Sequence, residues 1–85
     1  MDKFKIKEHI YFVIDTIGVS ILDKENHQSN FLTYPEAGIW LILSAGTNLP
    51  KSLKMLEPIL GKNAEETKKC VNQCLDNWRN KGYIY

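Results

Sequence analysis

The sequence predicts a small α+β domain of winged helix-turn-helix type, a three-stranded antiparallel sheet followed by three helices. Three observations carry this. Apolar residues alternate through the first part of the chain, Thr33 with Glu36 and Asn63 with Glu66 have capping-box spacing, and Gly46, Gly61 and Gly82 each close an apolar helical pattern. With 85 residues the chain has room for one domain, burying roughly 60–65% of its unfolded surface. Its 11 basic and 10 acidic residues give no global field toward nucleic acid or an anionic membrane, so a partner must be recognised by local shape.

Each element follows in order. Phe4, Ile6, Ile10, Phe12 and Ile14 are apolar at even positions, a period of two that marks a strand, most securely over Ile10 to Asp15. Gly18 allows a tight reversal, and Val19, Ile21 and Leu22 form a second strand that ends at Asp23 and pairs with the first as a hairpin. KENHQSN, residues 24–30, is polar and turn-rich, and Asn30 to Thr33 offers a short third strand. Thr33 then caps a helix over about 34–45, with Pro35 in the first turn, where its missing N–H has no intrahelical role. Ala37, Ile39, Trp40, Leu41, Ile42 and Leu43 cover most of that helix's circumference, so it is the central helix of the core.

The second helix starts near Asn48 and Pro50, carries Leu49, Leu53, Leu56 and Ile59 or Leu60 on one side, must distort at Pro58, and closes at Gly61. The third opens with Asn63 as cap, continues to about Asn80, and places Val71, Leu75 and Trp78 in its core stripe.

Cys70 and Cys74 lie on that third helix, where residues four apart hold their Cβ atoms about 5–6 Å from each other against the ~3.8 Å a disulfide prefers. They are expected to be free thiols in a reducing compartment, which fits a cytoplasmic protein. The segment MDKFKIKEHI is charged where a signal peptide needs an apolar stretch, and the uncharged run from Ala37 to Pro50 is short of a membrane span. Cys70 and Cys74 with His9 and His27 match no standard zinc spacing, and no nucleophile triad, phosphate loop or carboxylate pair stands out. No enzyme activity, metal or cofactor is expected. Lys68, Lys69, Arg79 and Lys81 read as a solvated helix face, Trp40 as a core anchor, and Trp78 as core or groove rim.

The succession GVSILDKENHQSNFLTYPEAGIWLIL, then a glycine, a helix ending in a leucine-rich turn, and a long helix closing with LDNWRNKGYI resembles the PqqD family. These are stand-alone recognition domains named after the pyrroloquinoline quinone pathway and found also in lasso-peptide gene clusters. The matching positions are Leu22 and Asp23, Leu32, Gly38 and Trp40, Gly46, and Gly82 with Ile84, within about residues 10–85. The chain departs from the family in having Thr33 where asparagine is usual, and Ser29 and Asn30 where the third strand has tyrosines.

The resemblance implies a non-catalytic RiPP recognition element, a domain that binds the leader of a ribosomally made precursor peptide. It presents the leader to a leader protease or modifying enzyme of the same pathway, here pointing to lasso-peptide biosynthesis. In the family the leader adds a strand to the edge of the third strand and lies against the third helix, which physical reasoning supports, because an edge offers unpaired N–H and C=O groups. The expected peptide-binding residues are therefore Asn30, Phe31, Leu32 and Thr33 on the strand. On the helix, Thr67, Cys70, Val71 and Cys74 form a shallow trough of small or soft side chains, unless both cysteines are ordinary core filler.

The rival class is a winged-helix DNA-binding regulator with the third helix in the major groove. Glu65, Glu66 and Asp76 among that helix's lysines speak against it, since phosphate contact favours a basic face. A third class, a dimerisation or adaptor module without a peptide ligand, leaves room for a homodimer.

Overall fold

The computed structural model describes residues 4–46 and 48–85, so Met1 to Lys3 of the charged N-terminal segment and Thr47 in the uncharged run lie outside it. Three strands, β1 (Ile10–Asp15), β2 (Gly18–Asp23) and β3 (Gln28–Thr33), precede three helices, α1 (Glu36–Ser44), α2 (Leu49–Leu60) and α3 (Ala64–Asn80). The sheet is antiparallel in the order β1-β2-β3, and the expected α+β class holds.

The first reversal is built by Thr16 and Ile17, with Asp15 facing Gly18 across it. Gly18 therefore opens β2 instead of turning the chain. The second reversal is shorter than the polar run suggested, because Asp23 organises it. Its Oδ1 accepts from the backbone N–H of Glu25 and Asn26 at 3.0 Å each, and its Oδ2 accepts from Asn26 Nδ2 at 2.8 Å. His27 completes the turn in the left-handed region, at φ 53°, so Gln28 and Ser29 are released to extend β3.

The expected Thr33 cap does not form. Thr33 is the last residue of β3, opposite Gly18, and Pro35 occupies the N-cap position of α1 with no side-chain cap. The other two starts form as expected: Asn48 Oδ1 accepts from Lys51 N at 3.0 Å and Asn63 Oδ1 from Glu66 N at 2.9 Å. α2 continues through Pro58 to Leu60. A proline in the last turn removes only the bond to the carbonyl four residues back, which belongs to the exposed Lys54.

The core sits between the sheet and the helices. Trp40 and Trp78 are completely buried and meet edge to face at 5.0 Å, with Phe4 against both rings and Phe12 against Trp40. Val19, Ile21 and Leu32 supply the sheet side, and Ile39, Leu43, Leu56, Val71 and Leu75 the helical side. Of the pair left open in α2, Leu60 packs on the core while Ile59 is half exposed. Ile14 departs from its alternating pattern, exposed at 63%, because α1 packs on β2 and β3 and leaves that end of β1 uncovered. Phe4 and Ile6 precede the sheet. Ile6 instead bridges Ile84, with Lys7 N donating to the Tyr83 carbonyl and Tyr85 N to the Lys5 carbonyl. No helix is long and apolar enough to cross a membrane among the described residues.

Candidate peptide-binding groove

β3 is an edge strand, and the register shows which of its backbone groups are free. In a two-residue hairpin the residues flanking the turn exchange hydrogen bonds, so Gly18 faces β1. Lys24 N, on the same side, donates to the His9 carbonyl. Along β2, Gly18, Ser20 and Leu22 thus address β1, while Val19, Ile21 and Asp23 address β3. Their partners Leu32, Asn30 and Gln28 are bonded inward, and the N–H and C=O groups of Ser29, Phe31 and Thr33 point out of the sheet. Independently, a Cβ built on Gly18 would run into the Leu32 carbonyl oxygen, which places that oxygen on the β2 side.

Opposite this edge stands α3. At 100° per residue, Cys70, Cys74, Asn77 and Lys81 fall within an arc of about 60°, beside the core stripe. Two relationships show where that arc points. Cys74 lies close enough to Glu36, at the start of α1, for the carboxylate to act on its thiol. Lys81 lines a cleft of about 320 Å³ together with Asp23, Asn26, Gln28, Ser29, Asn30 and Tyr83. α3 therefore runs antiparallel to β3, its cysteine end beside the exit of the strand and its Lys81 end beside the entrance.

The two ends differ in electrostatics. Burial pushes the Cys74 thiol up to about 12, with the Glu36 carboxylate and then Cys70 adding to it, so the thiol is uncharged and the charge near it is that of Glu36. At the other end the Asp23 carboxyl is held below the ordinary carboxylate range, first by the Asn26 side chain and then by backbone N–H groups. It stays charged but is spent on its own turn.

The eight residues expected at the site separate into groups. Phe31 and Thr33 expose both side chain and outward backbone, and Asn30 is half buried on the cleft side. Cys70 and Cys74 are free thiols, half buried, packing on the core while keeping some surface. Leu32 is 3% exposed, a core side chain on a strand whose neighbours carry the free edge. Thr67 and Val71, expected to line the trough, are 0% and 1% exposed and lie with Leu75 and Trp78 in the core stripe. The cleft also brings together Gln28, Ser29, Lys81 and Tyr83, which sequence reasoning did not place at the site. Lys81, read as part of a solvated face, sits at the last turn of α3 on the same arc as the cysteines, and that helical spacing was the available signal.

No protein-family model matches the chain, and no curated protein matches it. Among solved structures, TbiB1 in complex with the TbiA(beta) leader peptide is similar, with a TM-score of 0.86 at 15% identity, over 94% of this chain and 93% of that one. The two proteins share one fold.

Proposed function

We propose that this chain is a PqqD-like RiPP recognition element, which binds the leader of a ribosomally made precursor peptide as a fourth strand on β3 and presents it to a leader protease or modifying enzyme, in lasso-peptide biosynthesis. The observation that carries the reading is the free edge: the register turns six backbone groups of Ser29, Phe31 and Thr33 out of the sheet, and the entrance of that edge opens on the cleft that Lys81 and Tyr83 help to line. It is supported by the shared fold with TbiB1, a protein solved with a leader peptide bound. Each main-chain hydrogen bond is worth roughly 0.5–1.5 kcal/mol net. Four or five of them with two side-chain anchors reach about −8 kcal/mol, a micromolar Kd. The groove offers hydrogen bonds and shape, so the chain's role is to hold and deliver a peptide. Its two free thiols suit the reducing cytoplasm.

The test is a titration of the folded protein with the leader of the precursor encoded in the same gene cluster, and in parallel with duplex DNA. Saturable leader binding in the micromolar range or tighter, without DNA binding at physiological salt, is the expected result. DNA binding without leader binding would return the chain to the winged-helix regulators.

A further inference from the structure

We propose that the cleft at the entrance of β3 is a specificity pocket for a carboxylate side chain of the bound peptide, with Lys81 as its cationic partner. This rests on the strand-addition reading of the same groove and adds to it the chemistry of one anchor.

The charges decide which side chain fits. Asp23 and Lys81 both line the cleft, but they are not equally available. The Asp23 carboxylate accepts two backbone N–H groups and one side-chain amide of its own turn, and only 6% of the residue is exposed. The ammonium of Lys81 is on the surface, 5.9 Å over the Tyr83 ring, which keeps it on the cleft side. The remaining polar lining of Asn26, Gln28, Ser29 and Asn30 is neutral and carries amide and hydroxyl donors, the complement of a carboxylate's acceptor oxygens. Lys81 is therefore the charged group of the cleft whose hydrogen-bonding atoms are free to meet an incoming side chain. At the other end of the groove the cysteine thiols are uncharged and soft and the Glu36 carboxylate disfavours a second acid, so that end takes an apolar group.

The spacing follows from strand geometry. In an added strand every second side chain turns toward α3. One such residue lies toward the Thr33 end of the strand, and a residue two or four positions along meets Asn30 or Gln28 and Lys81. The groove thus selects an extended peptide with an apolar residue and, at that distance, Asp or Glu.

The experiment is selection of a displayed library of random peptides on the wild-type protein, with the recovered peptides then measured on Phe31→Pro, Lys81→Gln and Lys81→Glu variants of confirmed helix content. Peptides weakened by Phe31→Pro report the edge. Among these, Asp or Glu is expected at one position two or four residues from an apolar one. Exchanging that acid for its amide should weaken binding about 3- to 5-fold on the wild type, the effect of one exposed ion pair. The amide exchange should have no effect on Lys81→Gln, a reversed effect on Lys81→Glu, and a smaller effect at high salt. Edge-binding peptides with no acidic preference, or with equal affinity for Lys81→Glu, overturn the pocket and leave strand addition standing. Peptides indifferent to Phe31→Pro overturn strand addition itself.

Discussion

The Phe31 ring closes over Gly18 from the neighbouring strand, so near that a Cβ at Gly18 would lie 2.9 Å from the ring tip and would also run into the Leu32 carbonyl oxygen. The ring could turn away from an added methyl, but the carbonyl is backbone and could not without breaking its pairing with Val19. Gly18→Ala should therefore destabilise the domain by about 1–3 kcal/mol, the usual range for overpacking. Thermal denaturation is expected to show a drop of at least about 4 °C. Adding Phe31→Ala should not restore it. A double variant as stable as the wild type would place the clash in the ring alone.

This pair also shows what the sequence could and could not disclose. Alternation gave the first two strands and cap spacing gave the start of α3, because both depend on residues near in sequence. Gly18 was legible as a special position but not as the floor beneath Phe31, since that contact exists only once β2 and β3 are in register. The Thr33 cap was a local signal overruled by strand pairing, and Thr67 was a small polar residue whose burial depends on α2 packing alongside. Lys81 joined the groove only when the antiparallel direction of α3 against β3 was known.

Asn63 holds the N-terminus of α3 through its bond from Glu66 N. Asn63→Ala leaves that N–H to water and should destabilise by about 1 kcal/mol. A lowering of Tm by about 4–8 °C is expected for a domain of this size, with α3 otherwise intact by circular dichroism. An unchanged Tm would mean that core packing alone sets where α3 begins.

Tyr85 donates its hydroxyl to both oxygens of Glu8, at 2.7 and 2.6 Å. This bond is the largest influence on each group, lowering the Glu8 pKa and raising that of Tyr85. Because Glu8 is lowered, its contribution to stability is present above the ordinary glutamate range and is lost as pH falls through the lowered value. Because Tyr85 is raised, its contribution is present below the ordinary tyrosine range and is lost as pH rises through the raised value. In Tyr85→Phe, the Glu8 carboxyl resonance followed by NMR should titrate at higher pH than in the wild type. An unmoved Glu8 curve would show that the pair does not persist in solution.

The Cys74 thiol, raised from 9.0 to about 12, should be slow to alkylate in the folded protein. At pH 8 such a rise removes roughly 1,000-fold of the thiolate, and the greater nucleophilicity of the more basic sulfur recovers about 15- to 30-fold of it. Iodoacetamide labelling read by mass spectrometry should therefore run roughly 30- to 60-fold slower at Cys74 in the native state than after unfolding. Labelling at the unfolded rate would show the thiol freely solvated and the groove open there.

The outward backbone of Phe31 gives the sharpest prediction about the groove. Proline at this position removes an N–H that no strand of the sheet uses, and the restriction it places on Asn30 favours the extended conformation Asn30 already has. Phe31→Pro should thus keep native helix content, while an added peptide strand loses one hydrogen bond and the close approach needed for its neighbours. A loss of at least about 10-fold in leader affinity, or ~1.4 kcal/mol, is expected by calorimetric titration, with Phe31→Ala milder because the alanine keeps its donor. On the facing wall, Cys74→Arg should weaken the leader by filling the trough with a long charged chain, whereas Lys69→Ala, exposed on another face of α3, should change little. If the proline and arginine variants both fold and bind the leader like the wild type, the peptide lies on some surface other than the one between β3 and α3.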